Sequence, residues 1–506
     1  MVNRTVDYGV YLVTDSTPAV LGDCSLTQVV EAALRGGVGI VQYRDKNCSH
    51  EDAVTTAREL HVLTKRFDVP LLVNDRVEVA VEVGCEGVHI GQDDMSFDAA
   101  RRILGSEKII GVTVSCEEEA IRACEAGADY LGIGTVFATQ TKKDTKSIIG
   151  PSGVSTILEA LKESGHGAVP TVCIGGINNS NAASVLAHDG SSRKSLDGLA
   201  VVSALIAAPD PAAAARQLLG TVLTAKMPQV VRTVAGTTPL THNMTNLVVQ
   251  NFAANVALAV GASPIMANYA EEAPDLAKLG AALVINMGTI TPDGLRNFIQ
   301  ALKAYNDAGR PVVFDPVGAG ATAVRREAVQ TLLAAGHYAV IKGNSSELLT
   351  VHGGPSVTER QRGVDSTAVL SISERARLAR DIARQHSCVV LLTGPTDLIS
   401  DGRRTLRVDN GHELLGMVTG TGCSLGTTVS AMVGAFGEDA LVACLAATVL
   451  FGVAAEMAAV RPEVRGPGTF VPAFIDELYG IRKATTAGDL QWLSMAKVQV
   501  VNADEK

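Results

Sequence analysis

Two consecutive α/β domains are what this sequence predicts: a (β/α)8 TIM barrel, then a second, differently patterned α/β domain. Three observations lead there. The chain has 506 residues, and at roughly 100–200 residues per domain it must hold more than one. Residues 1–226 repeat one unit, a short apolar run ending in polar residues and followed by a helix-like stretch. Beyond 226 the alternation changes, with fewer apolar runs and longer helical stretches.

The runs of the first half are Gly9–Val13, Gly39–Tyr43, Pro70–Val73, Gly87–Ile90, Ile109–Val114, Asp129–Val136, Thr171–Ile174 and Gly198–Val202. Each is short, mostly apolar and bounded by turn residues, the pattern of a strand buried on both faces. Helical material such as Leu26–Arg35, Glu51–Phe67 and Glu117–Ala126 lies between them. The count of eight favours a closed barrel over a doubly wound open sheet. The Ala/Pro-rich stretch opening at Pro211 reads as the last barrel helix. KMPQVVRTVAGTTP then starts the new pattern, which puts the boundary at 226/227. In residues 227–506 the strand candidates are Ala282–Met287, Pro311–Asp315, Ala339–Ile341 and Val389–Thr393, and the C-terminal part reads as mainly helical. Residues 188–198 and 352–366 read as mobile loops.

Composition narrows the function. Lys and Arg number 43 against 53 Asp and Glu, a net charge of −10 that repels a phosphodiester backbone, so no nucleic-acid partner is expected. Hydrophobic residues at 47% and charged residues at 19% exclude a disordered chain. Nine cysteines without a C-x-x-C pair indicate reduced thiols rather than a disulfide framework or zinc cluster. The N-terminal MVNRTVDYGVYLVTD lacks the apolar core of a secretion signal. The apolar stretch Ala440–Ala455 is shorter than the roughly 20 residues of a membrane span, so it reads as a core helix. A soluble, cytoplasmic protein acting on small molecules, without membrane partners, is expected.

The active site of a (β/α)8 barrel lies at the C-terminal ends of its strands, and the polar residues here sit there. Gln42-Tyr43-Arg44-Asp45-Lys46 ends the second strand, Asn74-Asp75 the third, and Gly91-Gln92-Asp93-Asp94 the fourth. Thr113 and Ser115 close the fifth, and Thr139-Gln140-Thr141-Lys142 follows the sixth. Gly175-Gly176 ends the seventh and Val202-Ser203 the eighth. Asp75 and Asp94 are suited to one Mg²⁺ that keeps several waters. Arg44, Lys46 and Lys142 are cations for a diphosphate. The glycines after strand seven, with Val202-Ser203, suit a monophosphate held by backbone N–H groups.

In the second half Gly420-Thr421-Gly422-Cys423 opens a small-residue apolar stretch. Glycines at a helix start present N–H groups to an anion, and a cysteine there has a reason for a lowered pKa and a general-base role. A tight turn with a buried cysteine is the other reading of those four residues. Asp315 and Glu347 offer carboxylates for Mg²⁺, Lys342 a cation for phosphate, and Thr393-Gly394 ends a further strand. The P-loop pattern is missing, which disfavours that kinase class.

With YLVTD, VQYRDK, LLVNDR, GVHIGQDD, ATQTKKDT, CIGGI and VVSALI in view, the first half resembles thiamine phosphate synthase. The resemblance implies joining a pyrimidinylmethyl diphosphate to a thiazole phosphate after the diphosphate departs. It implies that Gln42, Tyr43, Arg44, Asp45, Lys46 and Asn74 contact the pyrimidine diphosphate. Asp75 and Asp94 would bind Mg²⁺, and Lys142 would meet the leaving diphosphate. Thr139, Gln140, Thr141, Gly175, Val202 and Ser203 would hold the thiazole phosphate. Gly111-Val112-Thr113-Val114-Ser115 departs from a family pattern that often carries Gly-x-Ser-x-His, which leaves Thr113 and Ser115 as alternatives for the diphosphate contact. The related thiazole tautomerases share the fold and remain a rival.

HNMTNLVVQNFAANVALAVGASPIM, RGVDS and VTGTGC resemble hydroxyethylthiazole kinase, of the ribokinase-like superfamily. That likeness implies transfer of the ATP γ-phosphate to the thiazole alcohol. Met266, Gly420 and Asn246 would lie at the substrate, Lys342 and Thr393 at ATP, and Asp315 and Glu347 at Mg²⁺. Cys423 would be catalytic, in the position most ribokinase-like enzymes give to Asp. The order of the halves resembles the bifunctional thiamine-biosynthesis enzymes of fungi, and the kinase family implies a homo-oligomer, a trimer or hexamer. One half acting only as a ligand-binding regulator is the non-catalytic alternative. His89 reads as a packed strand residue. His242 reads equally as structural or as part of the thiazole pocket.

Overall fold

A computed structural model describes residues 6–139, 147–187, 194–353 and 370–504. The chain divides into two compact units, Met1–Ala225 and Lys226–Lys506.

In the first unit, β1 (Val10–Val13), β2 (Ile40–Tyr43), β3 (Leu71–Asn74), β4 (Gly87–Ile90), β5 (Ile109–Val114), β6 (Tyr130–Ile133), β7 (Thr171–Ile174) and β8 (Gly198–Val201) form a closed barrel. Every pairing is parallel, and β8 closes on β1 through Tyr11 opposite Ala200. Inward side chains alternate along each strand. Tyr11, Val13, Ile40, Leu72, Tyr130, Val172 and Ala200 pack the interior. The eight apolar runs are therefore the eight strands, most within one residue of the expected bounds; β6 is shorter, ending at Ile133.

The helix Pro211–Thr237 departs from expectation. It does not stop at the pattern change but runs on through Pro228. Residues on both sides of Pro228 are buried, Leu218, Leu219, Val222 and Leu223 before it and Val230, Val231 and Val234 after it.

The second unit is a nine-stranded sheet in the order β10-β9-β11-β12-β13-β14-β15-β16-β17. Its strands are β9 (Leu240–Met244), β10 (Ser263–Ile265), β11 (Ala282–Asn286), β12 (Val312–Asp315), β13 (Val340–Asn344), β14 (Val389–Thr393), β15 (Asp397–Ser400), β16 (Thr405–Val408) and β17 (Val498–Val500). The first six are parallel to one another and the last three antiparallel. Five of them, β9, β10 and β15–β17, carry no long apolar run: β9 reads LTHNM and β10 only SPI. The helix Ala440–Ala459 is apolar and long enough to cross a membrane, with mean hydropathy 2.1 in its most apolar window, 83% of it buried inside the unit. Phe451 on this helix packs edge-on against Phe474 of the helix Pro467–Thr486, 4.7 Å between centroids. It is a core helix.

Residues 188–193 and 354–366 of the two loop-like segments lie outside the described residues. His352 ends the helix Ser345–His352 rather than beginning a loop.

Candidate active sites

The barrel strands deliver their polar residues to one rim. Asp75, just past β3, has φ +62°, a left-handed conformation that Asp tolerates better than most residues. Lys46 Nζ lies 3.1 Å from Asp75 Oδ2. Burial and the neighbouring Asp94 carboxyl, within hydrogen-bonding reach, push Asp75 upward, and Lys46 only partly offsets them. Asp94 Oδ2 accepts from Gly91 N at 2.7 Å. Two carboxylates pressed together and flanked by one cation are an arrangement that a divalent ion relieves. Among the described residues no group of three or more His, Cys, Asp or Glu forms a metal site, so Mg²⁺ here would rest on two carboxylates plus ligand oxygens.

The β2 segment separates by strand alternation. Gln42 points inward, its Nε2 2.6 Å from Tyr11 Oη. Tyr43 turns the other way, toward Cys48 at 3.7 Å and the helix His50–Arg66, and is buried there. Asp45 Oδ1 accepts from the amides of Asn47 and Cys48 and shapes the turn. Tyr43 and Asp45 side chains thus support the rim rather than line it. Arg44 and Asn74 are half-buried at the strand ends. Of the two hydroxyls after β5, Ser115 donates to Glu119 Oε2 at 2.9 Å in the first turn of the next helix. Thr113 instead faces His89 at 2.7 Å.

Gly175 and Gly176 have φ +109° and +65°. A Cβ on Gly175 would overlap Thr135, and one on Gly176 would come within 2.7 Å of Ala138 O. Only glycine permits this close passage beside Val202 and Ser203, at the end of the neighbouring β8. Thr139 follows the same segment, while Gln140, Thr141 and Lys142 lie outside the described residues.

In the second unit the C-terminal ends of the parallel strands converge likewise. Asn286 and Asp315 are register partners at the ends of β11 and β12, and Asn344 and Thr393 at the ends of β13 and β14. Asn286 Nδ2 donates to Asp315 Oδ2 at 2.8 Å, and Lys342 Nζ lies 3.2 Å from Asp315 Oδ1. Asn246 Nδ2 reaches Asn286 Oδ1 at 3.1 Å and Cys423 Sγ at 3.4 Å. Burial pushes the Asp315 carboxyl up against the opposing pull of Lys342 and Asn286. Burial opposes the Lys342 charge too, but Asp315 and Glu347 outweigh it and hold the ammonium above its ordinary value. Glu347 accepts from the amides of Gly318 and Asn344, both at 2.8 Å, within a capping box. Burial and Asp315 push it up to about 7. These raised carboxyls fit a divalent cation and phosphate oxygens.

Gly420, at φ +94°, caps the helix Thr421–Ala435, and a Cβ there would lie 2.5 Å from Val249. Cys423 sits in the first turn of that helix. Burial and the Asp315 charge push its thiol up to about 11, more than Lys342 and the two asparagines offset. This differs from the lowered value that a helix N-terminus by itself implies: burial first, and the carboxylate supplied by β12 second, favour the neutral thiol. Met266 follows β10. Beside it, buried His242 bonds Ala267 O at 2.9 Å and Tyr305 Oη at 3.1 Å. Burial lowers its pKa, so His242 is a neutral brace for that segment. Asn286 was missed in the sequence. Its signal is a polar residue ending an apolar strand, ALVIN, the same signal that marks Asp315.

Comparison with known proteins agrees on both units. The family model "Thiamine monophosphate synthase" matches residues 10–205, and the model of the hydroxyethylthiazole kinase family matches 231–484. A probable thiamine biosynthetic bifunctional enzyme of Schizosaccharomyces pombe is 37% identical over 520 residues, covering 98% of this chain and 99% of its own. The thiamine biosynthetic bifunctional enzyme of Saccharomyces cerevisiae is 36% identical, covering 94% and 95%. Hydroxyethylthiazole kinase of Pyrococcus horikoshii is a solved structure similar to the second half, at 37% identity, 54% of this chain, 98% of that one and a TM-score of 0.47. The chain belongs to the bifunctional thiamine biosynthetic enzymes, with a thiamine phosphate synthase unit followed by a hydroxyethylthiazole kinase unit.

Proposed function

We propose that the second unit phosphorylates 4-methyl-5-(2-hydroxyethyl)thiazole with ATP. The first unit then couples the thiazole phosphate to 4-amino-2-methyl-5-hydroxymethylpyrimidine diphosphate, giving thiamine phosphate and pyrophosphate. The observation that carries this reading is a carboxylate pair beside a lysine at the strand ends of each unit: Asp75 and Asp94 with Lys46, Asp315 and Glu347 with Lys342. Mg²⁺ held at these pairs would bring positive charge to phosphate oxygens.

In the kinase unit Asn246, Met266 and Gly420 place the thiazole alcohol near Cys423. The alcohol oxygen bonds to the γ-phosphorus as the bond to the bridging oxygen of ADP breaks, and the alcohol proton passes to Cys423 Sγ in its minor thiolate form, a stronger base for a thiol raised to about 11. Phosphoryl transfer has a loose transition state, so positioning and charge carry most of the rate. Lys342 and Thr393 contact ATP. In the synthase unit the carbon–oxygen bond to diphosphate breaks and the thiazole nitrogen forms the new carbon–nitrogen bond. Arg44, Lys46, Thr113 and Lys142 meet the departing charge, and Gln42 and Asn74 hold the pyrimidine. Gly175, Val202 and Ser203 seat the thiazole phosphate, with Thr139, Gln140 and Thr141 beside it.

The protein is cytoplasmic in this reading, with no membrane or nucleic-acid partner, and a homo-oligomer through the kinase unit, a trimer or hexamer. Leu247 and Val248, 71% and 73% exposed within the substrate segment, are suited to cover by another subunit. The test supplies the purified protein with Mg²⁺, the pyrimidine diphosphate and the thiazole alcohol, with and without ATP. Thiamine phosphate formed only with ATP supports the reading. Failure to form it even from added thiazole phosphate overturns the synthase assignment. Sedimentation as a monomer at micromolar concentration overturns the oligomer.

A further inference from the structure

The barrel interior carries an unbroken chain of polar groups through an otherwise apolar core. Gln42 Nε2 lies 2.6 Å from Tyr11 Oη, which lies 2.7 Å from Tyr130 Oη. Tyr130 Oη lies 2.7 Å from His89 Nδ1, and His89 Nε2 lies 2.7 Å from Thr113 Oγ1. Tyr11 and Tyr130 are 1% and 0% exposed, and Gln42 and His89 are also buried. Five strands, β2, β1, β6, β4 and β5, contribute one residue each. Two glycines make room for the chain. A Cβ on Gly111, opposite Tyr130 in register, would overlap the tyrosine ring. A Cβ on Gly132 would stand 3.0 Å from His89 Cε1.

The donors and acceptors order themselves. The Gln42 amide nitrogen can only donate, so Tyr11 Oη accepts from it. The one hydrogen of Tyr11 then goes to Tyr130, its other hydrogen-bond partner, because a buried hydroxyl left unpaired is costly. Tyr130 in turn donates to His89 Nδ1. His89 is thereby fixed as the Nε2–H tautomer and donates to Thr113 Oγ1. Thr113, half-buried at the rim, is left with its own hydrogen free for a ligand acceptor, whereas Ser115 has spent its hydrogen on Glu119.

We propose that Tyr11, Tyr130 and His89 are positioning residues forming a one-way hydrogen-bond relay from Gln42 to Thr113. The relay aims the Thr113 hydroxyl hydrogen at the diphosphate of the substrate. It rests on the reading of the barrel as the synthase site, with Thr113 at the diphosphate. His89 is then more than a packed strand residue: it acts through Thr113 without touching substrate.

The test is a mutant cycle in the full-length protein, with thiazole phosphate supplied so that the kinase unit is bypassed. His89→Leu removes the donor to Thr113, and kcat/KM for the pyrimidine diphosphate falls about tenfold, the size of one lost hydrogen bond. KM for thiazole phosphate is unchanged. Thr113→Val costs at least as much, and His89→Leu adds nothing in that background, because both changes act on one hydroxyl. His89→Gln, whose amide can accept from Tyr130 and donate to Thr113, restores most of the loss. Tyr130→Phe removes a single oxygen and serves if His89→Leu does not fold. It costs a few-fold, and that cost also vanishes beside Thr113→Val. Additive costs, wild-type activity in His89→Leu, or a glutamine variant no better than leucine overturns the relay while leaving Thr113 in place. A neutral Thr113→Val removes Thr113 from the diphosphate, and the relay's purpose with it.

Discussion

Cys423 gives the sharpest contest between local and long-range electrostatics. Its place in the first turn of a helix favours the thiolate, and burial beside Asp315 favours the thiol. With the thiol at about 11 instead of the ordinary 9.0, the thiolate fraction at pH 8 is about one in a thousand rather than about one in ten. Alkylation by iodoacetamide, which requires thiolate, should therefore run about a hundredfold slower than in the free peptide MVTGTGCSLG at that pH. Steric access also slows the folded protein, so the pH profile is the cleaner reading. The peptide rate bends over near pH 9 and levels off by about pH 10, while the protein rate keeps climbing about tenfold per pH unit up to about pH 10 and levels off only above about pH 11. The assay is time-resolved labelling with mass-spectrometric quantitation of the peptide bearing Cys423, in metal-free protein whose circular dichroism shows it folded at each pH. Peptide mapping is needed because Cys24 is exposed and Cys48 and Cys116 are half-buried. A protein profile that levels off at or below pH 8 refutes the reasoning: helix and Lys342 would then outweigh Asp315.

The remaining expectations divide between the units. Cys423→Ala lowers kinase turnover about a hundredfold or more and leaves synthase turnover nearly intact, measured with thiazole phosphate supplied. Asp94→Ala does the reverse, and a normal synthase rate in that variant removes Asp94 from the metal site. Asp75 has a folded-state pKa raised above its unfolded value, chiefly by burial, so its charge is a cost to folding that sets in as pH rises above the unfolded pKa and is complete above the folded pKa. Asp75→Asn should accordingly unfold at a higher temperature than wild type at neutral pH without Mg²⁺, and should lose the Mg²⁺-dependent gain seen in calorimetry. Gly420→Ala forces a left-handed residue against Val249 and should impair the kinase alone, with a higher KM for the thiazole alcohol. Phe474→Ala empties the space between Phe451 and Phe470 and should cost about 3–5 kcal/mol in denaturant unfolding.

Legibility in the sequence followed burial. A parallel strand covered on both faces is a continuous apolar run, so β1–β8 and β11–β14 could be read directly. The strand β9 is equally buried yet reads LTHNM, because Thr241, His242 and Asn243 satisfy each other and their neighbours through hydrogen bonds that only the fold reveals. The strands β15–β17 are three or four residues each, too short for a period to show. Site residues at strand ends were visible as polar stops after apolar runs. Tyr43 looked equivalent to Gln42, but the two-residue period of the strand sends it to the opposite side. The relay from Gln42 to Thr113 left no sequence pattern, since its five members come from five strands and meet only when the barrel closes.

Both units solve the same electrostatic problem by the same construction. A phosphorylated substrate needs concentrated positive charge and fixed donors, yet a site crowded with cations would repel itself when empty. The barrel brings Asp75 and Asp94 within hydrogen-bonding reach of each other beside Lys46, and the sheet gathers Asp315 and Glu347 around Lys342. Burial is the main cause that raises Asp75, Asp315 and Glu347, and a neighbouring carboxylate adds to it at Asp75 and Glu347. In the proposed function a divalent cation arriving with its phosphate would offset that buried negative charge. Parallel strands suit such a device because their register puts successive C-terminal residues side by side: Asn286 beside Asp315, Asn344 beside Thr393, and Asn74 beside His89. Asp315 ends β12 and Glu347 stands in the first turn of the helix that follows β13, each beside a buried core residue, Phe314 and Leu348. In that reading the metal affinity, pH dependence and stability of each unit rest on the same few residues.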